Sequence, residues 1–562
     1  MESEVSTPVS RRGHVMLMHS TSYEVQNVLF RELGRTNKSI SFTKTPTSAT
    51  SNMFGRYPIH FHRTGDMDRN STPIVVKGCA VDGSPGWGFV SHESHVNFED
   101  NVSYNVFGSH FVGENGTEIG GFYRNIAIFS QGSGDGTQEK NRSEGDHGHT
   151  GIGFWLTSGS LKVVDNVATD HNNAGYAIIT RKTPVEAHDF YAQNWDNPAV
   201  FGGLDRIEVE RLGLNTFKGN IAYACRGMHI IDMELNGMMN TENLIEDFIS
   251  LNAEGDKGLD LEYSRNLRFK NVKVLRDGSL YTDDNNGTYG IKVHNTWDHR
   301  FPFAVKSWNY FENVHIHGFQ RGINNEAGLG ENDSKVYIIN NSLVTNLKSS
   351  TIVRDTRPEK LRYVSSSDLL VRPVYSVTPG FYGGPRNVTL SMPVSGTTIY
   401  YKVLRTNDEW RIYDCCELAT SLFGQLTPGD IYSGQQISTA GFRWTVIVAY
   451  ATKNNVISPI SIAFYKNDPN LPGGRIESET IETENSLTIY PNPAQNSYAT
   501  ISTGMKSGSL LFIDAVGQIK LRTVIVAASQ DVDIRTLANG VYTVIALSAE
   551  GERKSSQLVI QH

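Results

Sequence analysis

Nine of the 17 histidines lie between residues 60 and 188: His60, His62, His92, His95, His110, His147, His149, His171 and His188. In His60-Phe61-His62 the two-residue period of a strand puts both imidazoles on one face and Phe61 on the other. If Phe61 packs inward, the pair faces solvent beside Arg63 and Asp66, a strip able to contact a glycan or hold a metal; the plainer alternative is structural hydrogen bonding at a corner. His110 and His229 each stand nine residues beyond an asparagine, Asn101 and Asn220, which predicts one shared face with Glu114 and Arg226 close by. Glu144, Asp146, His147 and His149 form a charged insertion just before Gly151-Ile152-Gly153-Phe154-Trp155. Carboxylates there suit Ca²⁺ and a histidine pair suits a transition ion, although neither a zinc-protease helix nor a twelve-residue calcium loop is present. A solvated charged loop is the plainer reading. Asp170 and Asp260 complete the candidate acids and bases.

These residue types fit two reactions. A glycoside hydrolase needs one carboxylic acid to protonate the leaving oxygen and one carboxylate to activate water or attack carbon, roles open to Asp146, Asp170 and Asp260. A polysaccharide lyase needs a base for the proton alpha to a uronic carboxylate and a cation to neutralise that carboxylate, for which His60, His62, His110 and Arg226 are suited. Trp87, Phe107, Trp155 and Tyr176 are candidates for stacking on sugar rings, though several must belong to a core. A non-catalytic glycan-binding surface protein or adhesin is the third reading, and it predicts no convergent acid–base groups.

A repeated phrase says what positions these residues. An aromatic or aliphatic residue, one or two variable residues, then Asn and a β-branched residue recur at Phe98–Val102, Tyr123–Ile126, Val164–Val167, Phe217–Ile221, Phe269–Val272 and Phe311–Val314. Around them run segments of three to five alternating residues, too short for helices, with turn residues close by. That pattern predicts a right-handed parallel β-helix whose coils stack apolar side chains inward and carry Asn at a corner, where it tolerates the left-handed region. Gly86, Gly108 and Gly227 lie seven residues past Cys79, Asn101 and Asn220, which predicts glycine corners chosen for positive φ. Irregular spacing over 127–160 and 181–213 predicts loops thrown out of the coils, favoured places for a site.

The 562-residue chain holds 52 glycines but only 19 prolines, consistent with ordered tight turns, and its net charge of -8 argues against a nucleic-acid footprint. Four cysteines are too few for a disulfide framework. No phosphate-loop or dinucleotide motif is present. The expected fold is all-β: a parallel β-helix over 1–371, a small β-sandwich over 372–466, a polar linker over 467–486 and a second small β-sandwich over 487–562. A monomer is expected.

Three resemblances add to this reading. Leu487-Thr488-Ile489-Tyr490-Pro491-Asn492-Pro493, Asp514-Ala515-Val516-Gly517-Gln518 and Leu537-Ala538-Asn539-Gly540-Val541-Tyr542 resemble the C-terminal sorting domain of type IX (Por) secretion cargo in Bacteroidetes. This implies export to the medium or the cell surface and a partner in the type IX machinery. Met1–Gly13 is not a signal peptide, so the chain is expected to lack an upstream portion. Thr378-Pro379-Gly380-Phe381-Tyr382 and Ile399-Tyr400-Tyr401 resemble the chitobiase/hexosaminidase C-terminal-like module, with Lys402–Arg405 where the motif usually continues otherwise. Gly55-Arg56-Tyr57-Pro58-Ile59-His60-Phe61-His62-Arg63-Thr64-Gly65-Asp66 resembles the β-helical region of the cell-migration-inducing and transmembrane hyaluronidase group, without the G8 domain that usually precedes it. Together these imply a secreted or cell-surface polysaccharide-degrading enzyme, tilted toward hydrolysis of uronate-containing or hyaluronan-like glycans. The expected catalytic groups are His60, His62, His110, Asp146 and Asp170. Arg63, Trp87, Glu114, Trp155, Arg226, His229 and Asp260 are expected to bind substrate. His147 and His149 are the expected ligands of Ca²⁺ or another divalent cation.

Overall fold

The computed structural model describes residues 1–41, 48, 50–133, 148–180, 189–231, 239–262, 264, 266–277, 287–295, 308–327, 335–347, 353–354, 361–407, 430–468, 475–476, 487–490, 494, 498–503, 505–513, 519–548 and 553–560. The chain forms two compact units, Met1–Arg475 and Ile476–His562. The first is built on a right-handed parallel β-helix, in which each coil contributes one strand to each of three faces. Ile59–His62, Phe89–His92, Ser109–Gly113, Ile152–Leu156, Ala174–Ile179, Arg226–Ile231 and Lys257–Glu262 stack in register on the first face. Such stacking keeps equivalent residues of successive coils in rows about 4.8 Å apart.

The core follows from the inward rows. Phe89, Phe111, Phe154 and Tyr176 form a ring stack with centroids 5.0, 4.8 and 5.0 Å apart and planes within 9° of parallel, one ring per coil. At the corner between the second and third faces, Asn101, Asn125, Asn166 and Asn220 form a fully buried ladder. Each backbone N–H donates to the side-chain oxygen of the next Asn, at 3.0, 2.9 and 2.9 Å along the row. The amides of these asparagines also donate to main-chain carbonyls, as Asn125 Nδ2 does to Phe98 O at 2.9 Å.

The left-handed residue at this corner is the one before the buried Asn: Asp100, Arg124, Asp165 and Gly219 have φ of 56°, 56°, 57° and 70°. The buried Asn is therefore selected for its hydrogen bonds, not for its backbone. In later coils the roles shift by one position. Asn271 and Asn313 take the left-handed place, with φ of 57° and 52°, while Val272 and Val314 fill the buried row. This explains the one-residue spacing at Phe269–Val272 and Phe311–Val314.

Glycine also differs from expectation. Gly86, Gly108 and Gly227 are not among the positive-φ glycines. They provide room instead, since a Cβ at these positions would fall 2.4 Å from Thr36 O, 2.4 Å from Gly148 O and 2.6 Å from Ser250 Oγ. Gly86→Ala is expected to cost about 1–3 kcal/mol, because the obstructing Thr36 carbonyl is backbone and cannot swing away. Urea unfolding of the variant against the parent chain measures it.

The irregular stretch 181–213 serves packing in its described part. A hairpin of Asp189–Tyr191 with Arg206–Glu208 carries Phe190, Trp195, Phe201 and Ile207 into a buried cluster with Trp444, Val446, Val448, Ile462 and Phe464. Phe464 N donates to Gly202 O at 2.8 Å, and the Asn240 side chain both donates to and accepts from the Ile462 backbone at 2.8 Å. The strands Thr398–Thr406, Trp444–Lys453 and Ser461–Asn467 form the main sheet of this middle module, which is thereby fastened to the β-helix within one unit. The second unit pairs a sheet of Thr488–Tyr490, Tyr498–Ser502 and Ser529–Asp533 with a four-stranded antiparallel sheet around Ile501, Leu510, Phe512, Val544 and Leu558.

Candidate functional site

Parallel stacking turns residues distant in sequence into neighbours on the outward side of the first face. His60 pairs in register with Val90 and His62 with His92, and Glu114 follows on the next coil, its N–H donating to Ser91 O at 3.0 Å. The result is a compact centre. His60 Nε2 and His92 Nδ1 lie 3.5 and 3.1 Å from Glu114 Oε2. The His62 and His92 rings are 4.5 Å apart. His60, His62 and His92 each bring one nitrogen to within 4.8 Å of the others. The His60 and Glu114 side chains are only 3% and 7% exposed, whereas His62 and His92 form the more open side.

Electrostatics divides the four groups. Burial opposes the charge on Glu114, but the adjoining His92 outweighs it and holds the carboxyl well below the usual carboxylate range. Burial likewise opposes the His92 imidazolium, and Glu114 outweighs it, raising His92 above its ordinary value. His60 is lowered by burial despite Glu114. His62 is lowered to about 4 by burial and then by His92 and His60. His60 Nδ1 lies 3.0 Å from Gly55 O, which fixes the Nδ1–H tautomer and turns the Nε2 lone pair toward Glu114. Among the described residues, His60 Nε2, His62 Nδ1 and Glu114 Oε1 are buried without a hydrogen-bond partner, and His92 Nδ1 meets Glu114 Oε2 at 3.1 Å.

Of the aromatic candidates, Trp87, Trp155 and Tyr176 are buried and not open to a sugar, while Phe107 is half-buried. Trp87 and Trp155 are 1% and 3% exposed, and their rings sit 5.2 Å apart. Tyr57 stacks on Trp87 at 4.5 Å, and Lys38 Nζ lies 3.8 Å over the Trp87 ring. Gly148 closes over them: its carbonyl accepts from Trp87 Nε1 at 2.9 Å, and a Cβ there would fall within 2.7 Å of both indoles. Trp87 and Trp155 thus form a buried plate, and Tyr176 belongs to the inner ring stack.

His110 and His229 do not share a row. Register pairs His110 with Gly88 and Gly153, and Gly153 leads through Gly175 to Gly227, whereas His229 aligns with Ala177, Trp155 and Val112. The third-face strand Ile221–Tyr223 is shorter than Val102–Val106, so equal spacing from Asn reaches different places. His110 occupies an inward row otherwise filled by glycine, fully buried, with Nδ1 2.7 Å from Ser103 Oγ and its ring 5.1 Å from His171. Burial pushes His110 well below its ordinary value and His171 down to about 3.

His229 and Asp260 stand farther along the outward row that begins at His60, with Arg226 beside them. Five coil spacings separate His60 from His229, about 24 Å. Asp260 is already paired with Lys257 at 2.7 Å and faces Arg226 at 4.0 Å. Burial works against the Lys257 ammonium, but Asp260 outweighs it and raises its pKa. Arg63 is an exposed corner residue with φ 55°, paired to Glu93 at 2.6 Å. Asp170 is an exposed left-handed residue on the third face, with φ 60°, away from the histidine centre. Asp146 and His147 lie outside the described residues. His149 is buried, its Nδ1 2.6 Å from Ser133 Oγ. His92 was legible only as one of nine clustered histidines, and Glu114 only as a neighbour of His110; the 30- and 52-residue separations from His62 hide their convergence.

Comparison with known proteins agrees with this architecture. Residues 11–229 match the family model described as CEMIP beta-helix, and residues 488–561 match the secretion system C-terminal sorting domain. Mouse Fibrocystin-L is 31% identical over 139 residues, covering 24% of this chain and 3% of that protein. Human Fibrocystin-L is 31% identical over 124 residues, 22% of this chain and 3% of that protein. The chain thus matches only a small part of these curated relatives. It carries a CEMIP-like β-helix domain and a sorting domain, and the latter implies engagement of the secretion machinery and an extracellular or cell-surface location. Among the described residues, no helix is long and apolar enough to cross a membrane.

Proposed function

We propose that the chain is a secreted or cell-surface polysaccharide-degrading enzyme that works at the His60–His62–His92–Glu114 centre. The observation that carries this reading is the convergence of three imidazoles and one ionised carboxylate on the outward side of a CEMIP-like β-helix, with the more open edge at His62 and His92. Such a set can move a proton to or from a water or a glycosidic oxygen. The cations nearby suit an acidic chain: Arg56 and Arg35 act on His14, which burial and these charges lower to about 4. Uronate-containing, hyaluronan-like glycans are therefore the proposed substrates, with hydrolysis as the reaction. The middle module, resembling the chitobiase/hexosaminidase C-terminal-like type, has a supporting role, in keeping with its broad apolar contact with the coils.

A panel of glycans tests the reading. New reducing ends without an ultraviolet-absorbing unsaturated product are expected from uronate-containing chains. Appearance of the unsaturated product would replace hydrolysis by a lyase reaction. Binding with no cleavage of any glycan would leave the adhesin reading and remove the enzyme.

A further inference from the structure

We propose that His60, His62, His92 and Glu114 form a binding site for one first-row divalent transition ion of the zinc class. The argument begins with an electrostatic mismatch. His60 donates its Nδ1–H to Gly55 O, so its Nε2 presents a lone pair, and that lone pair faces a carboxylate oxygen at 3.5 Å. Two acceptors at this separation repel unless a proton or a metal cation lies between them.

The surrounding atoms make the same demand. Three buried polar atoms, His60 Nε2, His62 Nδ1 and Glu114 Oε1, have no hydrogen-bond partner among the described residues, and native interiors leave few such atoms unless a water or an ion completes them. The His60–Gly55 contact is also the outer support that metal-bound histidines use to fix their ring orientation.

Donor chemistry selects the class of ion. Three imidazoles and a single carboxylate suit zinc and its first-row neighbours. Calcium requires six to eight oxygen donors, and this centre has one carboxylate. His229, Asp260 and Glu262 form another group of suitable spacing, but Lys257 at 2.7 Å already supplies Asp260 with its cation. The assignment does not depend on the glycan reading.

The test uses the full chain with any affinity tag removed, stripped with EDTA and dialysed against Zn²⁺. One tightly held zinc per chain is expected, with affinity lowered at least about 100-fold in His62→Gln and in His92→Ala. Millimolar Ca²⁺ is expected not to displace it. Cobalt in place of zinc should give visible d–d absorption that His62→Gln abolishes. His62 is partly exposed, so circular dichroism should show that variant folded, and it decides the matter alone if His92→Ala does not fold. Absence of bound zinc in the parent chain, unchanged affinity in folded His62→Gln, or equal competition by calcium would each overturn the assignment. Zinc binding without glycan cleavage would uphold this site and remove the enzymatic reading; cleavage without zinc binding would do the reverse.

Discussion

Glu114→Gln is expected to lower glycan cleavage by roughly 10²–10³-fold, the scale seen when one preorganised charge or donor is removed from a reaction centre. The substitution preserves shape and deletes one charge. Glu114 is the carboxylate that both His60 and His92 approach, and it is ionised because His92 outweighs the effect of burial. Gln cannot supply that charge, either to a bound cation or to an imidazolium. The fold should survive, because the backbone N–H of residue 114 still donates to Ser91 O and the core rings lie on the other side of the sheet. Turnover of the variant, with its circular dichroism spectrum unchanged, is the measurement. Full activity in a folded Glu114→Gln protein would place the reaction elsewhere on the chain.

Asn125→Ala is expected to be the most disruptive of the conservative core truncations, at roughly 3–5 kcal/mol. Asn125 Oδ1 accepts from both the backbone N and Nδ2 of Asn101, at 3.0 and 2.9 Å, and its Nδ2 donates to Phe98 O and to Asn166 Oδ1. Alanine would leave the Asn101 backbone N–H without its acceptor, remove one of the two bonds of Asn101 Nδ2, which keeps Val76 O, and take the side-chain donor from the Phe98 carbonyl, each lost bond costing about 1–3 kcal/mol before relaxation. Asn271→Ala should cost much less. Asn271 lies at the turn, giving up mainly a 2.8 Å side-chain bond to Asp247 and one accepted from Asn313, while Val272 keeps the buried row filled. Thermal unfolding of the two variants side by side checks the contrast, with the Asn125 variant lower in midpoint by roughly 2–4 °C. Equal midpoints would mean that the buried ladder contributes no more than a surface turn.

Much of the architecture was legible because a β-helix is a local pattern repeated. The recurring Asn phrase, the short alternating segments and the tail motifs each reside within a few residues. The two-residue period also placed His60 and His62 together opposite Phe61, and Phe61 is fully buried. The period failed at the start of the first-face strands, where two successive residues turn inward. There His110 fills a row that other coils leave to glycine, and there Gly86 and Gly108 make room for main chain, and Gly227 for the Ser250 side chain, instead of supplying positive φ.

By itself, then, the sequence determined that the chain coils, which side chains face inward along most strands, and that it ends in a sorting domain. Tertiary structure alone decided which coils bring their outward residues into one place. That depends on corner lengths, and the two-residue difference between Val102–Val106 and Ile221–Tyr223 separates His110 from His229. It also depends on the stacking register that sets His62 against His92 and brings Glu114 to both His92 and His60. Corner length and register are fixed by packing between coils, and a single coil's residues carry no record of them.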